Sequence, residues 1–157
     1  MIDIQGKSPK LLVIGDLMID HYLWGSCKRI SPEAPVQVVN IEKESILLGG
    51  AGNVIKNLKT LGAKVDVISV FGDCNVANEL KELLGNINVE TRHLITEPGR
   101  TTTKKSRIIS SQQQVVRYDQ ESTEEINTNS QNLILKTFNK IVEQYDAILL
   151  SDYGKGV

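Results

Sequence analysis

Two carboxylates, Asp16 and Asp20, follow the first apolar run, Leu11 to Ile14. An ionised carboxylate only accepts hydrogen bonds, which suits it to sugar hydroxyls, although a lone Asp also serves as a cap or turn former. Further on, Gly49-Gly50-Ala51-Gly52-Asn53 leads into a helical pattern. Glycines allow the backbone to come close to a ligand, the first amides of a helix are free donors, and Asn53 offers both a donor and an acceptor. A plain loop–helix junction is the alternative reading of the same residues. A third group is cationic: Arg100, Lys105, Arg107 and Arg117, of which the last three share the parity of one strand face. Such a set suits an anionic group such as a sugar phosphate, or else is a solvated face. The segment Ser151-Asp152-Tyr153-Gly154-Lys155-Gly156 adds Lys155 as a further cation. His21 and His93 have no triad or metal-ligand spacing around them, and Trp24 reads as packing.

The elements that must position these residues are legible from hydrophobic periodicity. Residues 1–10 read as a polar lead-in, and Leu11 to Ile14 as a buried parallel strand ending at Gly15-Asp16. Pro32 and Pro35 mark an extended segment, followed by a strand over Val36 to Ile41. Val54, Leu58 and Leu61 predict one face of a helix stopped by Gly62. Val65 to Phe71 predicts a strand ending at Gly72-Asp73, and Val76, Leu80, Leu83 and Leu84 predict a second helix stopped by Gly85. Thr101 to Asp119 reads as two antiparallel strands turning around Ser110-Ser111. Ile134, Phe138, Ile141 and Tyr145 mark a third helix, and Ala147 to Leu150 a last buried strand. Alternating strands and helices call for a parallel sheet covered by helices, with polar β excursions near residues 21–47 and 98–120. In such a sheet ligands bind beyond the carboxyl ends of the strands, so the turns at Gly15-Asp16, Gly72-Asp73 and Ser151-Asp152 are expected to face one site.

Composition narrows the class. The chain has 157 residues, 40% hydrophobic and 24% charged, enough for one domain with a real core. A net charge of −1 removes the basic footprint of a nucleic-acid binder. The apolar run from Leu11 to Ile19 is interrupted by Asp16 and is too short to cross a bilayer. Cys27 and Cys74 lack partner spacing, so reduced thiols and a soluble, cytoplasmic chain are expected. Neither a G-x-G-x-x-G nor a G-x-x-x-x-G-K-[ST] phosphate motif is present.

Taken together, these segments resemble the PfkB (ribokinase-like) carbohydrate kinase family. Gly49, Gly50, Ala51 and Asn53 match its N-terminal pattern, with Gly62 and Gly72 at the expected distances; Ile55 departs, where a small residue is usual. Within the family the resemblance is to heptose 7-phosphate kinase domains of bifunctional ADP-heptose synthases. It is carried by GDLMIDHYLWG, RISPEAPVQVV, LGGAGNVIKNLKTLGA, the run Arg100-x-Thr102-x-x-Lys105-x-Arg107, QQVVRYD and SDYGKG. Gly72-Asp73-Cys74 and Ala77 depart from the usual residues of that branch. The resemblance implies a ribokinase-like three-layer α/β core with a small β lid, residues 1–157 forming the N-terminal, sugar-binding half of a kinase domain. It implies that Asp16, Asp20, Gly49, Gly50 and Asn53 hold sugar hydroxyls and that Lys105, Arg107 and Lys155 hold the sugar's phosphate. It further implies ATP and Mg2+ as the complete kinase's cofactors, neither held by this chain alone, and a homodimer paired through lid strands, with no nucleic-acid or membrane partner. The family's Gly-x-Gly-Asp turn and Asn-x-x-Glu motif do not occur in the sequence, so an isolated chain without catalytic activity is expected. A fragment of another PfkB-family sugar kinase, or a non-catalytic dimerising module, is the alternative.

Overall fold

The computed structural model describes residues 8–157. The expected lead-in lies outside the described residues for residues 1–7, and Lys10 already belongs to the first strand. That strand, β1 (Lys10–Gly15), is followed after Asp16 by β2 (Leu17–Ile30), β3 (Gln37–Gly50), α1 (Ala51–Thr60), β4 (Lys64–Phe71) and α2 (Asn75–Asn86). The rest comprises β5 (Leu94–Thr96), β6 (Lys104–Ser110), β7 (Gln113–Gln120), α3 (Thr128–Ile141), a 3-10 turn at Val142–Gln144 and β8 (Ala147–Ser151).

Four strands form a parallel sheet in the order β5-β4-β1-β8. In β1 and β4 the apolar runs have the reason expected of parallel strands, burial on both faces, but β8, expected to be buried, is an edge strand with Ile148 41% and Leu150 75% exposed. In β4 every residue after Lys64 is buried. Val13, Val65 and Val67 pack with Ile55 of α1 and Leu80 and Leu84 of α2. On the opposite face Leu12 and Ile68 pack with Ile141 of α3, beside Phe138 and Tyr145. Helix–sheet–helix layering makes the three-layer core, and α3 is capped by Asn127, whose side chain accepts from the Ser130 amide at 2.9 Å. No helix among the described residues is long and apolar enough to cross a membrane.

The second sheet differs from expectation in three ways. Asp16 is the sole break between β1 and β2, and β2 and β3 form one long antiparallel hairpin instead of short β-prone pieces. The two polar excursions are a single sheet, β3-β2-β6-β7, because β6 pairs in parallel with β2. Gly49 and Gly50 end a strand and are no loop. In α1 the buried positions are Ala51, Gly52 and Ile55, whereas Leu61, expected on the core face, is 73% exposed. Ile55, the residue departing from the family pattern, is therefore the one that fills the core. Tyr145 lies beyond α3, and β5 carries no signal in the sequence longer than three residues.

Candidate functional site

Asp16 is the hub where the core sheet meets everything above it. Its amide donates to the Ser151 carbonyl at 3.1 Å, and its own carbonyl accepts the Ala51 amide, the first of α1, at 3.0 Å. Its carboxylate accepts backbone N–H groups of Tyr153 (2.8 Å), Lys155 (3.1 Å) and Val157 (3.2 Å). With only 2% of its surface exposed, Asp16 folds the turn after β8 back over the carboxyl ends of the strands. Arg100, buried with Glu97, donates to the carbonyls of Glu124 and Lys155 and fixes that turn from the other side. Gly72 is tied in by its amide, which donates to the Thr102 hydroxyl at 2.9 Å. The three strand-end turns thus lie at one end of the sheet, as expected.

Cross-strand register places a polar set on one face of the second sheet. Asp20 sits opposite Lys105 and Tyr22 opposite Arg107, while Lys105 and Arg107 oppose Asp119 and Arg117 of β7. Arg107 donates to Asp20 at 2.5 Å, and its guanidinium lies 5.2 Å from the Tyr22 ring centre. Tyr22 in turn stacks on Trp24, with centroids 5.6 Å apart. Asp20 reaches this position because Gly49 has no side chain: a Cβ there would stand 2.5 Å from Asp20 Oδ2. At Gly50, φ is +53° and a Cβ would meet the Asp16 carbonyl at 2.5 Å. The close approach these glycines permit is to Asp20, Met18 and Asp16.

The cations form a chain of ion pairs. Lys105 Nζ lies 2.9 Å from Asp119 and 3.0 Å from Glu121, Lys155 Nζ lies 2.9 Å from the other oxygen of Glu121, and Arg117 holds Asp119 at 3.1 Å. Burial alone would push the Lys105 ammonium down, but its hydrogen bonds to Asp119 and Glu121 outweigh this and raise it. Burial would likewise raise the Glu121 carboxyl, and donation from Lys155 and Lys105 brings it below its ordinary value. The Lys105 hydrogen bond does the same for Asp119.

Of the residues expected at the site, the structure gathers Asp20, Gly49, Lys105, Arg107 and Lys155 on this face. Gly50 is beneath it, and Asp16 is turned toward backbone amides. Asn53 is exposed on the first turn of α1. Sequence reasoning missed Glu121, Asp119 and Tyr22. Only the β-strand parity of Asp119 and Tyr22 carried a signal for them, and Glu121 lies past the end of β7. His21 points to the other face, its Nδ1 3.2 Å from the Ser106 hydroxyl and its Nε2 3.2 Å from Glu44. Among the described residues no group of three or more His, Cys, Asp or Glu side chains is placed to hold a metal ion.

The profile described as "pfkB family carbohydrate kinase" matches residues 8–154. The protein called "Bifunctional protein HldE" of Aliarcobacter butzleri is 66% identical over 151 residues, covering 96% of this chain and 32% of that protein. The protein of the same name from Sulfurimonas denitrificans is 55% identical over 154 residues, 98% of this chain and 32% of the relative. The chain therefore spans about a third of the length of the curated relatives it matches. Among solved structures, a putative ribokinase of Agrobacterium tumefaciens superposes with a TM-score of 0.64 at 13% identity, over 92% of this chain and 44% of the other. Arabidopsis thaliana ribokinase, solved with ribose and ATP, gives 0.60 at 15% identity, over 92% and 45%. At such identities the likeness establishes a ribokinase-like fold.

Proposed function

The chain belongs to the pfkB family of carbohydrate kinases, and we propose that it is the sugar-binding part of a kinase acting on D-glycero-D-manno-heptose 7-phosphate. The reaction moves the γ-phosphoryl group of ATP to the anomeric hydroxyl, which loses its proton, and yields the 1,7-bisphosphate for ADP-heptose and lipopolysaccharide core synthesis. The observation that carries this reading is the convergence of Lys105, from β6, and Lys155, from the turn after β8, beside the Asp20–Arg107 pair. Its place at the carboxyl end of a parallel sheet is where ligands of open α/β sheets bind. The names of the 66% and 55% identical relatives support the heptose assignment.

In this reading Asp20, Gly49, Gly50 and Asn53 border the sugar's hydroxyls, and Lys105, Arg107 and Lys155 meet its phosphate. Asp16 acts at one remove, by holding the backbone of the turn that carries Lys155. ATP and Mg2+ serve the complete kinase and are not expected to be held by this chain alone. Phosphoryl transfer depends on positioning and on neutralising charge at the nucleotide's phosphates, so the chain alone is expected to transfer no phosphoryl group. The second sheet is the lid over the sugar. Its outer strand β7 exposes all eight residues, which also favours pairing of lid strands between two copies. The chain is expected to work in the cytoplasm.

Calorimetric titration tests the proposal. The chain is expected to bind D-glycero-D-manno-heptose 7-phosphate and not ATP with magnesium. Clear ATP binding would overturn the placement of the nucleotide site. Silence toward the sugar phosphate, with a mass that rises with concentration, would favour an assembly module.

A further inference from the structure

We propose that Glu121 is an internal competitor for phosphate: its carboxylate occupies the position between Lys105 and Lys155 that a phosphate monoester takes on binding. The inference rests on the reading of this face as a sugar-phosphate site and adds to it a residue that sets which anions gain entry.

The geometry is that of a ligand already seated. Two ammonium groups from different parts of the fold hold the two oxygens of one carboxylate, at 3.0 Å for Lys105 and 2.9 Å for Lys155. All three side chains are mostly buried yet reachable from solvent, with exposures of 14%, 18% and 17% for Lys105, Lys155 and Glu121. Lys105 does not depend on Glu121 for its place, and Lys155, whose ammonium is partnered by Glu121, is anchored through its backbone. Lys105 keeps Asp119 at 2.9 Å. The backbone of Lys155 is fixed by Asp16 at its amide and by Arg100 at its carbonyl. Glu121 lies just past the end of β7, outside the ladder, and the neighbouring backbone is pinned where the Thr101 amide meets the Ser122 hydroxyl at 3.0 Å. Its side chain therefore rotates out without breaking a strand pair, and leaves two charged donors within reach of one point.

The exchange has a direction set by charge. A phosphate monoester near neutral pH carries close to two negative charges and three strong acceptor oxygens, against one charge and two oxygens for the carboxylate. Phosphate thus displaces Glu121, whereas a singly charged group, such as a sugar acid, meets an occupant of equal charge. Glu121 lowers the affinity of every anion for the site and leaves only the more highly charged class able to enter.

The test compares the unmodified chain with Glu121→Gln, which preserves shape and removes the charge. The probes are inorganic phosphate, D-glycero-D-manno-heptose 7-phosphate and the unphosphorylated heptose. Glu121→Gln is expected to bind both phosphates about tenfold more tightly, with the unphosphorylated sugar unchanged. Lys155→Met is expected to weaken both phosphates by about tenfold or more. Thermal melts confirm folding, and Glu121→Ala replaces Glu121→Gln if the latter does not fold. Phosphate affinity that stays level or falls on removing the Glu121 charge overturns the inference. If the unmodified chain binds heptose 7-phosphate and the variant binds it equally well, the inference alone fails. If inorganic phosphate tightens as expected but the heptose adds no affinity, the kinase reading fails and the inference stands.

Discussion

The two sheets share a chain and a junction but are built on opposite principles. In the β5-β4-β1-β8 sheet the strands carry apolar side chains on both faces, and helices cover both. In the β3-β2-β6-β7 sheet the buried apolar side chains are confined to the inner end, at Leu17, Met18, Ile19 and Leu48. The outer strand is exposed throughout, and ion pairs stand where the core has methyl groups. Burial of apolar area gives the first sheet a single arrangement, since packing at close to crystal density is lost as a unit. Partly exposed ion pairs are worth little each and are exchanged readily, which is the property a ligand-covering surface needs.

The sharpest way to break this comparison is a matched pair of truncations. Ile68→Ala, at a site with no exposure in β4, is expected to cost about 2–5 kcal/mol in urea denaturation. Val116→Ala, 45% exposed in β7, is expected to stay within about 0.5 kcal/mol. Similar costs at both positions would mean that the second sheet is as integral to the fold as the first. An intermediate effect is expected at the junction. Gly50→Ala forces a side chain to adopt φ +53° against the Asp16 carbonyl, at a cost of about 1–3 kcal/mol. Because Asp16 holds the Lys155 turn, sugar-phosphate affinity should fall together with the melting midpoint. A drop in stability with affinity intact would separate the junction from the site.

What was legible in the sequence follows the same division. Strands β1 and β4 and the three helices show in the periodicity because burial dictates residue type there, whereas β8 shows as an apolar run although Ser151 is its one buried residue. The face of α1 was misplaced by the stripe Val54, Leu58, Leu61. The small Ala51 under β3 and the fully buried Ile55 set the helix's rotation, and only the tertiary contact with β3 reveals this. In the second sheet neither the length of β2 nor its parallel pairing with β6 is written in local pattern, since half-exposed strands tolerate Asp20, Gly25 and Lys28 alike. The site divides similarly. Lys105, Arg107 and Asp20 were recognisable by type and parity, and Gly49 by its lack of a side chain. The partner that links Lys105 to Lys155 was not, because Glu121 sits in an irregular stretch where spacing predicts no neighbour.

Arg107→Lys sharpens the functional side. It keeps the charge but loses the planar fork that meets Asp20 while lying over Tyr22. Sugar-phosphate affinity is expected to drop about tenfold, with stability changed by less than about 1 kcal/mol. A loss of stability with unchanged affinity would assign the residue to the architecture of the second sheet.

The smallest effect is the dependence of stability on pH, and its sign follows from the ion-pair chain. Glu121 and Asp119 titrate below their ordinary values in the folded chain, so what they contribute is present above about pH 4 and is lost as pH falls through their folded values. Lys105 titrates above its ordinary value, so its contribution is present below about pH 10 and is lost as pH rises through the folded value. The ion-pair chain by itself therefore leaves melting midpoints level between about pH 5 and 9 and lowers them on either side, and His93, held below its ordinary value by burial and by Arg92, adds a fall that begins below about pH 6.5. Glu97 also titrates low. Burial would raise it, but hydrogen bonds from Ser130, Asn127 and Arg100 prevail, so it supplies part of the acid limb from outside the second sheet. Glu121→Gln should consequently shrink the acid limb by a few tenths of a kcal/mol without abolishing it. An acid limb unchanged by Glu121→Gln would place it with Asp119, Glu97 and the core, and would leave the ion pairs of Glu121 free to rearrange at no cost to the fold.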